Sequence, residues 1–204
     1  MGNTIARQFR APGTGIGGWL ARMGMLSNKP LAEDAVANQL DLQPGHIVVE
    51  LGPGDGYAMA PILEKQPQKV YGIEISANFR ARLQAQFASA ISDGLLTIIG
   101  DDAKSLPQIP DKSVDRVFGL NVVYFLAPLD EYMREIVRVL RPGGKVVFGV
   151  VDQVKNAPQA TFVNTDWDAI VEVMQSAGLD AQRGERVVVD GERGGYWALV
   201  GVRR

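Results

Sequence analysis

The stretch that decides the fold is Val48-Val49-Glu50-Leu51-Gly52-Pro53-Gly54-Asp55-Gly56-Tyr57, an apolar β-type run that ends in three alternating glycines before a helical pattern. Strand, glycine-rich turn and helix form the nucleotide-binding unit of open α/β folds. Glycine has no Cβ and tolerates positive φ, so the backbone there can approach a ligand closely. A dinucleotide-binding turn reads G-x-G-x-x-G and requires glycine at position 57, where this sequence has Tyr57. The spacing therefore disfavours a pyrophosphate ligand.

Composition indicates an ordinary globular domain. The 204 residues are 46% hydrophobic and 22% charged, which suffices for one sizeable core. The net charge of −2 provides no global field that favours nucleic acid. Cysteine is absent and His46 is the single histidine, which excludes disulfides, thiolate chemistry and histidine-cluster metal sites. The sequence contains no apolar run of about 18 residues and no signal-like pattern, so we expect a cytoplasmic protein without a transmembrane segment.

Residues 1–30 differ from the rest of the chain, because glycines are interspersed there with aromatic and basic residues. Glycine at this density argues against one continuous helix. We consider two interpretations, an arm that packs on the domain and a lid over a binding site. A weak contact with a membrane surface is a third. The sequence thus predicts an arm or possible lid over residues 1–30 and a single domain over residues 31–204.

Strand and helix patterns alternate from residue 31 onward. Strands are expected at 46–51, 69–75, 95–100, 114–120 and 145–151, followed by 186–190 and 195–202 around an Asp190-Gly191 turn; helices are expected at 31–40, 57–64, 76–94, 128–140 and 165–178. The Val/Ile-rich strands lack strict alternation, as in a parallel sheet covered on both faces. The prediction is an α/β, doubly wound, Rossmann-like fold with a mostly parallel seven-stranded sheet and a C-terminal antiparallel hairpin.

Capping residues predict where two of these helices begin. Ser76 is expected to cap a helix that carries Phe79, Leu83, Phe87 and Ile91 every four residues and ends at Gly94. Thr165 and Asp168 have the spacing of a capping box at the last helix. Ligands of open α/β sheets bind at the carboxyl ends of the strands, which is where the glycine-rich turn lies.

Five segments in this order resemble the class I S-adenosylmethionine (SAM)-dependent methyltransferase family. They are VVELGPGDG (48–56), GIEIS (72–76), GDDAKSLP (100–107), SVDRVFGLNVVYFL (113–126) and REIVRVLRPGGKVVFG (134–149). The group most similar to them is the small-molecule methyltransferases of the ubiquinone/menaquinone-biosynthesis type. The resemblance spans roughly residues 40–178, and the first thirty residues carry no shared motif.

The resemblance implies a SAM site at the ends of the first four strands, in which the backbone of Gly52, Gly54 and Gly56 holds the methionine and ribose part of SAM. It implies that Glu74 accepts both ribose hydroxyls, that Asp102 accepts from the adenine amino group, and that Asn121 faces the amino acid end of SAM. Glu50 is expected to orient the turn and the ligand's amino group, or alternatively only to stabilise the turn. The full set of expected cofactor-binding residues is Glu50, Gly52, Gly54, Gly56, Tyr57, Glu74, Ile75, Asp101, Asp102, Ala103 and Asn121. Alternatively, Tyr57 does not bind the cofactor and only packs against the adjacent helix.

Methyl transfer is an in-line displacement that depends on positioning, and a general base is needed only if the nucleophile must lose a proton. Tyr124 and Asp152 are the candidate catalytic residues, with a packing side chain and a solvated loop residue as the respective alternatives. The expected acceptor is a small molecule or a lipid headgroup, and nucleic acid is not expected because the sequence lacks a basic stripe. Two other functions remain open: a SAM-binding regulatory subunit without catalysis and, less favoured by the glycine spacing, a nicotinamide-dependent oxidoreductase.

Overall fold

A computed structural model describes residues 29–151, 154, 162–189 and 195–204 of the chain. Residues 1–28, Asp152 and the Asp190-Gly191 turn lie outside the described residues. The helices are α1 (Lys29–Asn38), α2 (Met59–Glu64), α3 (Ala77–Gln86), α4 (Ala88–Ser92), α5 (Leu129–Val139) and α6 (Trp167–Ser176), with a 3-10 turn at Val123–Phe125. The strands are β1 (Ile47–Leu51), β2 (Lys69–Ile73), β3 (Leu96–Ile99), β4 (Val114–Leu120), β5 (Leu140–Val150), β6 (Leu179–Val188) and β7 (Gly195–Arg203).

The seven strands form one sheet in the order β3-β2-β1-β4-β5-β7-β6. The first five strands pair in parallel, whereas β7 pairs antiparallel with both β5 and β6. This confirms the predicted α/β sheet and its C-terminal antiparallel hairpin. The strand order reverses between β1 and β4, so the carboxyl ends of these two strands border the crevice where open α/β sheets bind ligands.

Helices cover both faces of the sheet. On one face α5 and α6 bury side chains such as Met133, Ile136 and Ile170 against β1, β4 and β5. On the other face α1 and α2 do so with residues such as Ala35 and Ile62. Val48 and Val49 of β1 point into opposite clusters, because successive strand residues face opposite sides. Coverage on both faces explains why the central strands are continuously apolar.

Several predicted boundaries are wrong, and each has a local cause. Ser76 lies at the start of α3, but its side chain makes no capping hydrogen bond. The predicted helix over 76–94 is interrupted at Phe87, whose φ of −113° and ψ of 29° are not helical. The cap of α6 is Asp166, which accepts from the backbone N–H groups of Asp168 and Ala169, so the cap lies one residue after the predicted Thr165 and the predicted capping box does not form.

The largest boundary error concerns β6, which begins at Leu179 rather than at residue 186. The register between β6 and β7 shifts between Arg183 and Arg186, and the strand is mostly polar there. An irregularity inside a polar edge strand hides the alternation by which a strand is recognised. Within the described residues, no helix is long and apolar enough to cross a membrane.

Candidate functional site

The glycine-rich turn follows β1 and has one position that opens toward free space. Gly52, Gly54 and Gly56 all have positive φ, at 63°, 56° and 78°. A Cβ on Gly52 would lie 2.9 Å from Val122 Cγ2, and one on Gly56 would lie 2.7 Å from a ring carbon of Phe87. Among the described residues, a Cβ on Gly54 would meet nothing nearer than the Gly52 carbonyl oxygen at 4.0 Å. Gly52 and Gly56 thus permit packing within the protein, whereas Gly54 exposes backbone to a ligand.

Two buried carboxylates lie beneath this turn. Glu50 of β1 is 3% exposed and Glu74, just beyond β2, is 4% exposed. The Glu74 carboxylate accepts from the backbone N–H of Gly54 at 3.1 Å and from that of Ser76 at 2.8 Å. The Oε2 atom of Glu50 is buried and has no hydrogen-bond partner among the described residues. Glu74 therefore ties the turn to the end of β2, and Glu50 retains an unsatisfied acceptor.

The electrostatics of this pair favour a cationic ligand. Burial raises the pKa of Glu50 to about 8, and the negative charge of Glu74 adds to the effect. Burial also raises the pKa of Glu74, although the N–H groups of Ser76 and Gly54 and the charge of Arg80 act in the opposite direction. Two carboxylates without a cation between them disfavour ionisation. A ligand that brings positive charge and hydrogen-bond donors would relieve both groups.

The carboxyl ends of β2 and β3 carry an apolar ledge and an acidic turn. Ile75 is 46% exposed. Asp102 is exposed and its Oδ1 accepts from the Lys104 N–H at 3.1 Å, while Asp101 accepts from the Gln108 side chain at 2.6 Å. The buried Ala103 anchors this turn in the core. An apolar ledge beside exposed acceptors suits a flat heterocycle with an amino group.

Asn121 and Tyr124 form a hydrogen-bonded unit beyond β4. Asn121 has a φ of 56°, a conformation that asparagine tolerates better than most residues, and its N–H donates to the Gly149 carbonyl at 2.9 Å. The Tyr124 hydroxyl donates to Asn121 Oδ1 at 2.8 Å and accepts from the Val151 N–H at 2.6 Å. Tyr124 is only 1% exposed. Its hydroxyl thus fixes the Asn121 side chain against the end of β5.

The chain segment that returns to the sheet before α6 is also held at Tyr124. The N–H of Val163 donates to the Tyr124 carbonyl at 2.9 Å, and the Asn164 side chain donates to the carbonyls of Val123 and Leu126. The ring of Tyr124 lies within about 6 Å, centroid to centroid, of three other aromatic rings, those of Phe125, Phe162 and Trp167. An aromatic cluster therefore adjoins Asn121 at the carboxyl end of β4.

Comparison with known proteins identifies the family. Residues 49–148, from β1 to β5, match the model of a methyltransferase-domain family. The chain belongs to the class I SAM-dependent methyltransferase family. The cofactor of this family is SAM, and the match includes the glycine-rich turn, both buried carboxylates and Asn121. The comparisons do not single out the ubiquinone/menaquinone group.

Two curated relatives and one solved structure illustrate the likeness. The methyltransferase GfsG of Streptomyces halstedii is 30% identical over 172 residues, which are 74% of this chain and 61% of that protein. A malonyl-[acyl-carrier protein] O-methyltransferase of Marinomonas sp. is 33% identical over 116 residues, 56% of this chain and 41% of that protein. The chain thus spans between two fifths and about three fifths of these relatives. A SAM-dependent methyltransferase from Aquifex aeolicus superimposes with a TM-score of 0.72 at 15% identity, covering 94% of this chain and all of that one.

Two observations indicate that the residues of this methyltransferase site fit SAM. The unsatisfied, buried Oε2 of Glu50 provides an acceptor for a cation, and SAM carries a sulfonium and an ammonium group. The open side of Gly54 leaves room for a ligand atom where a Cβ would stand. The Glu74 carboxylate has further lone pairs for two hydroxyl donors.

The roles of three predicted residues stay predictions. Tyr57 is half-buried and packs with the cluster under α1 and α2, which agrees with its alternative as a packing residue. Asp152 lies outside the described residues, so its catalytic assignment stays a prediction. The catalytic assignment of Tyr124 also stays a prediction, although its buried hydroxyl already makes two hydrogen bonds.

Asp55, Arg80 and Arg82 stabilise the site from its periphery and were not identified from the sequence. Asp55 of the turn pairs with Arg82 at 3.0 Å, and Arg80 donates to the carbonyls of Glu74 and Ile75. These contacts join residues that are five to 27 positions apart, and the longer of them have no local pattern. The position of Arg80 and Arg82 in the sequence could have indicated this role. Both follow the GIEIS segment on a helix that must pack beside the turn.

Proposed function

We propose that this protein catalyses SAM-dependent methyl transfer to a small molecule or a lipid headgroup. The observation that carries the proposal is the unsatisfied carboxylate of Glu50 beside Glu74 and the open Gly54, a receptor for a cationic nucleoside. When bound, SAM supplies an electrophilic methyl group on a sulfonium. The work of the protein is then to hold donor and acceptor in line and to exclude water.

Each side of the site has a proposed task. Glu74 accepts the ribose hydroxyls while it remains bonded to the Gly54 N–H, so ribose binding and turn geometry are linked. Glu50 accepts from the ammonium group. Ile75 packs against the adenine ring and Asp102 accepts from its amino group. Asn121, fixed by Tyr124, faces the amino acid end.

The acceptor is proposed to approach over the aromatic cluster beyond β4. Phe125 and Phe162 are half-buried, with ring centroids 5.1 Å apart, and they adjoin Tyr124. Such a wall excludes water and suits an acceptor with an apolar or aromatic part. One relative, by its name, acts on a malonyl group. A carboxylate acceptor of that kind is ionised near neutral pH and would require no general base.

Two further features belong to this proposal. Residues 1–30 are proposed to act as an arm or lid over the acceptor side, and deletion of residues 1–26 should impair substrate binding more than folding. An unfolded truncated chain would instead identify the arm as structural. The reaction is proposed to take place in the cytoplasm.

The proposal is tested in two steps. Isothermal titration of the full chain should show SAM binding and no comparable heat with NAD; tight NAD binding without SAM heat contradicts the cofactor assignment. Labelled SAM is then incubated with the protein and extracts of candidate metabolites. Methylated product supports the enzyme, whereas SAM binding without product across broad extracts favours a regulatory SAM-binding subunit.

A further inference from the structure

Helix α3 lies directly against the cofactor site. A Cβ on Gly56 would stand 2.7 Å from a ring carbon of Phe87 and 3.0 Å from Leu83 Cδ2, so the third glycine of the turn packs on the C-terminal part of α3 and the residue that follows it. The same helix begins immediately after Glu74, Ile75 and Ser76. It thus touches both the glycine-rich turn and the end of β2, the two segments between which SAM is expected.

Arg82 of α3 holds the glycine-rich turn. Its Nη1 donates to Asp55 Oδ1 at 3.0 Å. The Asp55 side chain is 10% exposed, and the arginine side chain is 39% exposed. The guanidinium carbon lies 5.6 Å from the centroid of the buried Phe79 ring, which restricts the arginine on its own helix. Asp55 stands between Gly54 and Gly56, so this ion pair fixes a turn in which both neighbours are conformationally permissive.

Arg80 holds the other side of the site. Its Nη1 donates to the carbonyl oxygen of Glu74 at 3.0 Å and to that of Ile75 at 2.9 Å. A Cβ on Gly100 would lie 3.1 Å from the guanidinium carbon, so the same group rests on the backbone just beyond β3. Arg80 therefore joins the ends of β2 and β3, which carry the proposed ribose and adenine contacts.

Arg80 and Arg82 contact different parts of the site. They are two residues apart on a helix, and such residues do not face each other. We propose that Arg80 and Arg82 are positioning residues that hold the adenosine side and the methionine side of the SAM site in register. This rests on the proposed assignment of the site residues. Neither arginine is suited to attract SAM directly, since SAM is itself cationic. The charge of Arg82 is engaged by Asp55, and the Nη1 atom of Arg80 is engaged by two backbone carbonyls.

Arginine and lysine should differ at these two positions. Lysine at position 82 keeps one charge that can reach Asp55. Lysine at position 80 has an ammonium group that can donate to carbonyls, but it lacks the planar group that covers Gly100. The pair of conservative variants therefore separates a requirement for charge from a requirement for guanidinium geometry.

The test measures SAM binding by isothermal titration for the full chain and for Arg80→Ala, Arg82→Ala, Arg80→Lys and Arg82→Lys. We expect each alanine variant to weaken SAM binding on the order of tenfold, the scale known for outer residues that orient binding groups. Arg82→Lys should restore most of the affinity and Arg80→Lys less. Arg134→Ala is the matched control, because Arg134 pairs only with the exposed Asp130 on α5 in the described residues. Its affinity should equal that of the wild type.

Thermal unfolding of the same variants distinguishes positioning from simple stabilisation. A lower melting temperature with unchanged SAM affinity overturns the proposal. Should Arg80→Ala not fold, Arg80→Lys carries the test. Failure of the wild-type chain to bind SAM contradicts the proposed function instead, which keeps the two failures distinguishable.

A fragment of the cofactor tests the division of labour. 5′-Methylthioadenosine contains the adenosine part and lacks the amino acid part. Arg80→Ala should weaken its binding more than Arg82→Ala does. Equal losses in the two variants overturn the assignment of one arginine to each side.

Discussion

The charge state of Glu50 makes the stability of the ligand-free protein depend on pH. Its pKa rises from an ordinary value of 4.5 to about 8, mainly because the carboxyl group is buried. At about 1.4 kcal/mol for each tenfold change in proton affinity, this corresponds to about 5 kcal/mol against the ionised form. Between these two values the folded chain keeps a proton that the unfolded chain has lost. The free energy of unfolding therefore falls as pH rises from 4.5 to 8, and this contribution levels off above 8.

Glu50→Gln removes this titration while retaining the size of the side chain. From the two pKa values, the wild type should lose about 3 kcal/mol of stability through this group between pH 5 and pH 8, and the variant should lose none of that part. Urea unfolding of both chains without SAM, at several pH values in this range, measures the difference. Glu64→Gln, a change at an exposed position of α2, should keep the wild-type pH dependence.

SAM provides a second arm of the same experiment. A cation near Glu50 favours the ionised carboxylate, so saturating SAM should reduce the loss of wild-type stability at pH 8. The α-amino group of SAM also titrates near pH 8, and for this reason the wild type is compared with Glu50→Gln at each pH. Parallel curves for the wild type and Glu50→Gln without SAM would refute the reasoning, because they would mean that Glu50 does not hold a proton.

Three further variants test the rest of the site, and Gly45→Ala serves as a control for one of them. Glu74→Ala should weaken SAM binding by at least about 1–3 kcal/mol, the scale of lost hydrogen bonds to a charged group, and unchanged titration heats in a folded variant would refute the ribose assignment. Gly54→Ala and Gly45→Ala both place alanine at positive φ with free space around the Cβ, so each should lose about 1–2 kcal/mol of folding stability, but only Gly54→Ala should weaken SAM binding. Equal SAM affinities of these two variants would contradict the close approach at Gly54. Tyr124→Phe should lower the free energy of unfolding by about 1–3 kcal/mol, because Asn121 Oδ1 and the Val151 N–H lose a buried partner. A large loss of methyl transfer at unchanged stability would instead identify Tyr124 as catalytic.

The fold could be predicted from the sequence where one physical signal was dominant. The central strands are covered on both faces, so their apolar runs were visible, and α5 carries its buried side chains at helical spacing. The prediction failed where tertiary contacts decide. β6 is polar and shifts register, and its start follows from pairing with β7 rather than from its own residues. The break at Phe87 coincides with packing of its ring against Gly56, a residue 31 positions earlier.

The candidate site was likewise predictable where a local motif identifies the residue, and not where tertiary contacts decide. The glycine spacing and the acidic residues after β1 and β2 belong to local motifs, so Glu50 and Glu74 could be proposed from sequence. The raised pKa of Glu50 could not, because it depends on burial and on a carboxylate from another strand. The bond from Gly54 to Glu74 depends on how β1 pairs with β2, and the contacts of Arg80 and Arg82 depend on how α3 packs on the turn.

Tyr124, on the proposed acceptor side, holds the chain at two points that are far apart in sequence. Its hydroxyl holds the chain at Val151, where β5 ends, and its carbonyl holds the chain at Val163, shortly before α6. Val151 and Val163 are thus both bound to one residue, the first to its side chain and the second to its backbone. Closing a longer segment between fixed ends adds only about 0.6 kcal/mol for each doubling of its length. Because Val151 and Val163 are both held at Tyr124, the length of the chain between them can change at this small cost in free energy.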